Sequence, residues 1–354
     1  MKILYVIPKP NVSGLQTSSR NRINALRAEG IQAEVAFHSP GDGDYIFQHI
    51  QTYYINNKDQ FREHIKKNKY DFISFIYSLK YLDAVPTNFS GKIIYEVRGW
   101  SSGVVKGIRK INKSFKVHAV ICIAKYLKPL VKTKLVRNIP VFIDGNTVDP
   151  SFHYKEKITL EDFPVPEKGR KIIAFIGRVE NSKNWKEFIT ISHHVSFKHQ
   201  IELWIICNPN TSKCLKDMKK QLKKIRLYSS TRIIPNVPNH KMPELYSLIA
   251  NSGGCVLSTS LREGLGNAIL EPMACACPIV SSNRKGKNEI IQHNYNGLLY
   301  KTDDIEEAVK QIDRLIENKS KRTRLTQNGL KTIEKDYSQN SYVSKYLTIL
   351  SKIK

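Results

Sequence analysis

Ser258-Thr-Ser-Leu-Arg-Glu263-Gly-Leu-Gly-Asn-Ala-Ile-Leu-Glu271-Pro-Met-Ala274 is the stretch that decides the reading of this chain. It follows Gly254-Cys-Val-Leu-Ser-Thr259, an apolar run of the length and composition of a short buried strand. A glycine-containing turn then leads into a helix predicted over Ala268–Ala276. Glu263 is thus expected in the loop at the strand's end, where Gly264 and Gly266 let the backbone approach a ligand closely. Amides at a helix start suit phosphate or another oxygen-rich group. Treated as one helix, the segment sets its two carboxylates roughly 12 Å apart along the axis. That spacing suits a ligand with hydroxyl-bearing rings at both ends and charge between them, such as a nucleotide sugar.

Taken alone, Glu-x7-Glu describes many solvated helices. The surrounding residues carry more. Glu263-Gly-Leu-Gly266, Glu271-Pro-Met-Ala274 and Pro278-Ile-Val-Ser281, in that order and spacing, closely resemble the retaining GT-B glycosyltransferases, family four in particular. The resemblance implies two facing Rossmann-like α/β domains, with a C-terminal helix that crosses back to the first.

The chain has 354 residues, 41% of them hydrophobic, enough for two domains with proper cores. Short apolar strands alternate with amphipathic segments in two series, the pattern of parallel α/β sheets. The first runs Ile3–Ile7, Ala33–Phe37, Phe72–Tyr77, Ile93–Val97, Ala119–Ile123 and Pro140–Ile143. The second runs Ile172–Ile176, Glu202–Cys207, Arg232–Ile234, Gly254–Ser258, Pro278–Ser281 and Gly297–Tyr300, followed by helix to the end. A polar, proline-bearing stretch over 150–170 is the expected linker. The predicted domains are 1–165, which binds the acceptor, 166–336, which binds the nucleotide sugar, and a terminal helix over 337–354 that packs on the first.

No apolar run approaches the roughly 20 residues that cross a bilayer. The apolar run in Met1-Lys-Ile-Leu-Tyr-Val-Ile-Pro8 is too short for a signal peptide and reads as a buried strand, so a cytoplasmic location is expected. The six cysteines show no zinc spacing, and neither disulfides nor a structural metal are expected. With 57 basic and 31 acidic residues the net charge is +26, which calls for an anionic partner such as a phospholipid surface, a polyphosphate polymer or nucleic acid.

Phe175-Ile-Gly177-Arg178 ends a strand, and Asn181-Ser-Lys183-Asn184 opens the next helix. Arg178 and Lys183 are therefore placed outside the carboxyl end of a strand, where parallel sheets bind ligands. Composition alone favours two solvated cations, but in the resembled family the matching Gly-Arg and Lys hold the donor's diphosphate. The same resemblance gives Val237 a contact to the base and Glu271 the ribose hydroxyls. Glu263 takes the sugar ring, and the backbone of Leu265–Asn267 holds sugar and phosphate. In the first domain Ser13 and Gly14 match the family's phosphate-side turn, which usually carries paired glycines. Tyr95-Glu-Val-Arg98-Gly-Trp100 falls near the family's reacting centre, with Gly99 where relatives carry an acid, so Arg98 is expected to contact donor or acceptor.

The expected catalytic residues are thus Glu263, Arg178, Lys183 and Arg98, with no general base assigned. No cofactor or metal is expected beyond the nucleotide-sugar substrate, because Asp42-Gly-Asp44 sits in an early glycine-rich turn. Departing phosphate charge would be stabilised by the cations and the helix start.

Between Glu96 and Asp144 lie eleven cations and no acid, with Val104, Val105, Ile108 and Ile111 at helical spacing among them. An amphipathic basic helix of this kind is expected to lie on an anionic membrane, alongside the alternative that its stripe packs inward. The leading expectation is transfer of a hexose or N-acetylhexosamine to a lipid-linked or anionic surface glycan (lipopolysaccharide, capsule, exopolysaccharide or teichoic acid) at the inner face of the cell membrane. Two alternatives are a nucleic-acid-binding protein or DNA glucosyltransferase and a nucleotide-sugar epimerase. The absence of a recognisable nucleic-acid motif weighs against the first.

Overall fold

The computed structural model describes residues 1–113, 116–158 and 163–353. They form two compact units, Met1–Thr147 with Tyr337–Lys354, and Val148–Asp336. The first contains β1 (Lys2–Ile7), β2 (Gln32–Phe37), β3 (Thr52–Tyr54), β4 (Phe72–Ile76), β5 (Lys92–Val97), β6 (Ala119–Cys122) and β7 (Val141–Ile143). These strands are all parallel, in the order β3-β2-β1-β4-β5-β6-β7. Its helices are α1 (Gly14–Ala28), α2 (Lys58–Lys67), α3 (Ser102–Asn112) and α4 (Leu127–Lys132).

The second unit contains β8 (Lys171–Ile176), β9 (Ile201–Cys207), β10 (Thr231–Pro235), β11 (Cys255–Ser258), β12 (Ile279–Ser282) and β13 (Leu298–Tyr300). They are again parallel, ordered β10-β9-β8-β11-β12-β13. Its helices are α5 (Trp185–Ser196), α6 (Leu215–Lys224), α7 (Met242–Asn251), α8 (Asn267–Ala274), α9 (Ile305–Glu317) and α10 (Lys319–Thr332). The last helix, α11 (Gln339–Ser351), returns to the first unit.

Both sheets grow outward from their first strand, then restart on its other side. This is the doubly wound order, which opens a crevice at the carboxyl ends of the two strands flanking the reversal. In the second unit those strands are β8 and β11. Strands covered by helices on both faces read as unbroken apolar runs, and the whole of Ile201–Cys207 is buried.

Residues 148–158 group with the second unit, so the boundary expected at 165 falls at Thr147. Tyr154 Oη donates to Asn251 Oδ1 at 2.6 Å, and the Lys155 amide to Ser247 Oγ at 2.9 Å, both acceptors on α7. The part of the expected linker at 159–162 lies outside the described residues.

Tyr342, Val343, Tyr346 and Leu350 of α11 recur at helical spacing and join the first unit's core beside Ile23 and Leu26 of α1. Beneath them lies a buried charge network. The Arg22 guanidinium on α1 meets Glu96 Oε2 at 2.9 Å and Asp144 Oδ2 at 3.6 Å, and donates to Tyr342 Oη at 3.1 Å. Its guanidinium carbon also lies 5.6 Å from the Tyr342 ring centre and 6.0 Å from that of Tyr346. Burial alone lowers the Arg22 pKa, but Glu96, Tyr342 and Asp144 outweigh it and hold the group firmly charged.

On α3 the apolar stripe turns inward: Val104, Ile108 and Ile111 are fully buried. Lys110 bonds Asp83 at 2.8 Å, and Lys116 reaches the Val85 carbonyl at 2.5 Å. The expected membrane-lying helix therefore keeps Val104, Ile108 and Ile111 for the core, leaves Val105 half-buried, and exposes Lys106 and Arg109, with Lys113 at its end, beside Ser102 and Gly103.

Removing one partner of a buried ion network strands the others, at a cost of about 3–5 kcal/mol. Arg22→Met should lower the urea-unfolding free energy by about that amount. Tyr342→Phe, which loses one hydrogen bond, should lower it by about 0.5–1.5 kcal/mol. An Arg22→Met protein as stable as the parent contradicts this account.

Candidate functional site

Two loops meet at the carboxyl ends of β8 and β11. After β8 the backbone turns sharply at Gly177, whose φ of +121° disfavours any side chain, and the Lys183 Cε lies 3.6 Å from where a Cβ would stand. The loop closes on Asn184, at a left-handed φ of 52°, and α5 begins. After β11 the chain runs through Thr259–Gly266 into α8. Three contacts tie the loops together. Thr259 Oγ1 donates to the Lys183 carbonyl at 2.8 Å, and the Leu261 amide to the Ser182 carbonyl at 3.0 Å. Lys183 Nζ donates to Glu263 Oε1 at 2.6 Å.

This last contact is a short charge-assisted bond with both side chains partly open to solvent, 20% for Lys183 and 16% for Glu263. Burial pushes the Glu263 carboxyl up, but the Lys183 ammonium, the Ser260 hydroxyl and the nearby Lys287 more than offset it, so the group sits below its ordinary value. Arg178 is the most exposed of the site's cations, its side chain 58% open and its guanidinium 3.2 Å from Glu180 Oε1.

Gly266 caps α8 and brings no side chain to its start, so Leu265, Gly266 and Asn267 present backbone there. Glu271 lies one turn in and is buried, with Tyr246 Oη donating to its Oε2 at 3.1 Å. Burial first, then the Glu271 carboxylate, holds the Tyr246 phenol protonated. The helix starts only at Asn267, so four residues of rise, about 6 Å, separate it from Glu271. The 12 Å estimate assumed helix through Gly264–Gly266, where the chain is loop. Val237 lines a cavity of about 730 Å³ along β10, with Phe163, Arg232 and Pro238.

The structure thus brings Gly177, Lys183, Gly264, Gly266 and Glu263 together, with Leu265, Asn267 and Glu271 at the helix that follows. Ser13, Gly14 and Arg98 belong to the first unit. Ser13 caps α1, accepting from the Leu15 amide at 3.3 Å, and Gly14 opens that helix with free space around it. Arg98 is turned into the protein. Its guanidinium, 1% exposed, meets Glu96 at 2.8 Å and donates to the Asp144 carbonyl at 2.8 Å. The expected donor or acceptor contact gives way to a role in the Arg22 network, because Glu96 and Asp144 point inward. Asp42 and Asp44 hold the Val12 amide and the Tyr54 hydroxyl respectively.

One residue escaped the sequence reading. Lys287, fully buried, donates to the carbonyls of Ser258 and Ser260 at 3.1 and 2.8 Å and meets Ser282 Oγ at 2.5 Å. Burial lowers its pKa to about 7, against the opposing pull of Glu263 and Glu187. In Asn283-Arg-Lys-Gly-Lys287 it looks like one more solvated cation, and only its place just after an apolar strand hinted otherwise.

Two doubly wound parallel sheets in one chain, with a terminal helix that returns to the first unit, are the architecture of the GT-B fold. Residues 157–332 match the family Glycosyl transferases group 1. To this family the chain belongs, through its second unit. The chain is similar to the capsular polysaccharide biosynthesis glycosyltransferase CapM of Staphylococcus aureus, 25% identical over 262 residues. That match spans 69% of this chain and 66% of CapM, just under two thirds of the relative's length. A glycosyltransferase structure from Rickettsia africae ESF-5 superposes with a TM-score of 0.83 at 16% identity, covering 99% and 98% of the two chains. Anabaena Alr3699/HepE, solved with UDP and glucose, gives 0.80 at 15% identity and 99% coverage of both.

The buried Lys287 sets a pH dependence. Its folded pKa, about 7, lies below the ordinary lysine value of 10.5. The unfolded chain then binds more protons between those values, so this group's stabilisation is present above pH 10.5 and is lost as pH falls through about 7. Unfolding free energy should rise over that window by up to about 1.4 kcal/mol per pH unit. The difference between wild type and Lys287→Met, measured in urea at several pH values, isolates this slope. Parallel curves would refute a depressed Lys287.

Proposed function

We infer that the protein is a retaining glycosyltransferase that moves a hexose or N-acetylhexosamine from a nucleotide sugar to a lipid-linked or anionic surface glycan. One observation carries the reading: the 2.6 Å Lys183–Glu263 pair stands at the reversal point of a doubly wound sheet, beside a helix start without a side-chain cap. The UDP and glucose bound by Alr3699/HepE, and the capsule role in CapM's name, favour this donor and acceptor class.

Cleaving the bond from sugar C1 to the diphosphate leaves negative charge on the phosphate and positive character on the ring. In this reading Arg178, Lys183 and the amides at the start of α8 receive the diphosphate. They supply the positive charge that a divalent ion provides in other enzymes. Glu263 accepts from sugar hydroxyls and Glu271 from the ribose, with Tyr246 holding the latter carboxylate in one orientation. The acceptor hydroxyl forms its bond to C1 on the face the diphosphate leaves, and its proton passes to a departing phosphate oxygen. Configuration is then retained without a second carboxylate close to C1.

The net charge of +26, with Lys106, Arg109 and Lys113 exposed beside α3, supports docking on an anionic membrane at the cytoplasmic face. With the apolar stripe of α3 buried, that docking is electrostatic. Each cation near the surface contributes about 1 kcal/mol, screened by salt. Co-sedimentation with phosphatidylglycerol vesicles should therefore occur at low ionic strength and disappear at high salt. Binding that resists salt would point to inserted apolar groups instead.

The donor assignment is tested by thermal shift with UDP-, GDP- and ADP-glucose. One base should raise the melting temperature of the wild type, and Glu271→Ala and Arg178→Ala should each lose the effect. A wild type unmoved by every nucleotide sugar would defeat the reading.

A further inference from the structure

The second unit's site has a back wall as well as a mouth. The turn Asn283–Lys287 follows β12, next to β11 in the sheet, and touches the Glu263 loop in two independent ways. Gly286, at φ +87°, lies so close that a Cβ there would stand 2.2 Å from the Gly264 carbonyl oxygen and 2.7 Å from that of Glu263. No residue larger than glycine fits without moving the loop. One residue on, Lys287 Nζ grips the carbonyls of Ser258 and Ser260, the last residue of β11 and the loop that leaves it. The turn is itself fixed. The Asn283 amide bonds the Tyr300 carbonyl at 2.7 Å, the Lys287 amide the Arg284 carbonyl at 3.1 Å, and the Ile291 amide the Lys287 carbonyl at 2.9 Å.

We propose that the turn Asn283–Lys287 is a positioning element for the donor-binding carboxylate, with Gly286 and Lys287 holding the Thr259–Gly266 loop so that Glu263 stays against Lys183. The proposal rests on the donor reading given above. Lys287 is fully buried and its Nζ is directed to the oxygens of Ser258, Ser260 and Ser282, so it acts through the loop.

Its chemistry suits that task in both protonation states. An ammonium has three protons for three oxygens. The neutral amine keeps two protons for the Ser258 and Ser260 carbonyls, and its lone pair accepts the Ser282 hydroxyl proton. The grip survives deprotonation, whereas the charge behind Glu263 does not. The charged groups facing Lys287 are Glu263 and Lys183 on the two loops, Glu187 on α5 and Arg284 on its own turn. A diphosphate arriving beside Lys183 adds negative charge to this set and favours the ammonium. With the amine half titrated near neutral pH, donor binding is then accompanied by proton uptake at pH 8.

The experiment compares wild type, Lys287→Met, Gly286→Ala and Ser282→Ala by amide hydrogen exchange without ligand and by calorimetric titration with UDP-glucose in buffers of different ionisation enthalpy. We expect Lys287→Met and Gly286→Ala to lose protection over 259–266 and to bind UDP-glucose about ten- to a hundredfold more weakly. Proton uptake at pH 8 should be present in wild type and absent in Lys287→Met, a change that lost packing alone does not produce. Unchanged protection over 259–266 in both variants overturns the proposal, as does uptake that persists in Lys287→Met. Should Lys287→Met fail to fold, Ser282→Ala decides. It keeps the lysine but removes one acceptor, so it must lower protection of the same loop, and unchanged exchange overturns the proposal. If wild type binds none of the UDP-, GDP- or ADP-glucose probes while the variants lose protection, the turn still positions the loop and it is the donor reading that fails.

Discussion

The handedness of the parallel crossover constrains everything else in this molecule. A right-handed connection covers one face of the sheet when the chain travels one way along it and the other face when it travels back, so a sheet covered on both faces restarts beside its first strand. At the restart two neighbouring loops diverge and leave a crevice that neither can fill. In the second unit these loops follow β8 and β11, and they carry Lys183 and Glu263. The pair is thus a consequence of strand order as much as of residue identity. Residues 80 apart in sequence meet because β8 and β11 are hydrogen-bonded neighbours.

Much of this order was legible in the sequence because strands buried on both faces have nothing polar to interrupt them. All six predicted strands of the second unit occur with ends within a residue or so, and α11 takes the place predicted for the terminal helix. Of the first sheet only β3, Thr52-Tyr-Tyr54, was missed. It is a short edge strand with its residues partly exposed, so it carries no apolar run to be seen. The Glu263 loop, Gly177 and Lys183 were legible for a different reason, since their spacing follows a family pattern that local physics alone does not impose.

What the sequence hid was direction. A run such as Asn283-Arg-Lys-Gly-Lys287 has the composition of a solvated turn, and only its place just after an apolar strand hints that one of its cations points inward. The carbonyls that receive Lys287 belong to residues 258 and 260, so the cause of its burial lies elsewhere in the chain. The direction of Arg98 was hidden in the same way. It leaves β5 at the carboxyl end, where ligand contacts are expected, but Glu96 two residues earlier and Asp144 after β7 turn toward it and draw it inside. On α3 the helical spacing of Val104, Ile108 and Ile111 was read correctly, but spacing states only that a stripe exists. Whether the stripe faces a core or a lipid surface is settled by what packs against it.

The two charge clusters separate a structural network from a binding site on physical grounds. In the first unit Arg22, Arg98, Glu96 and Asp144 are 0–2% exposed, and each faces an opposite charge. Burial still raises the Asp144 pKa despite Arg22, which shows how much desolvation such a cluster must overcome and why losing one member is costly. In the second unit exposure is graded instead. Lys287 is sealed, Lys183 and Glu263 are partly open, and Arg178 is mostly open. A cation held on its inner side and open on its outer side has a fixed position and a face turned to solvent, which is what binding an anion requires. A cluster closed on all sides has the first without the second. Electrostatic strength alone would rank the Arg22 network above the Lys183–Glu263 pair, and it is the gradient of exposure that reverses the order.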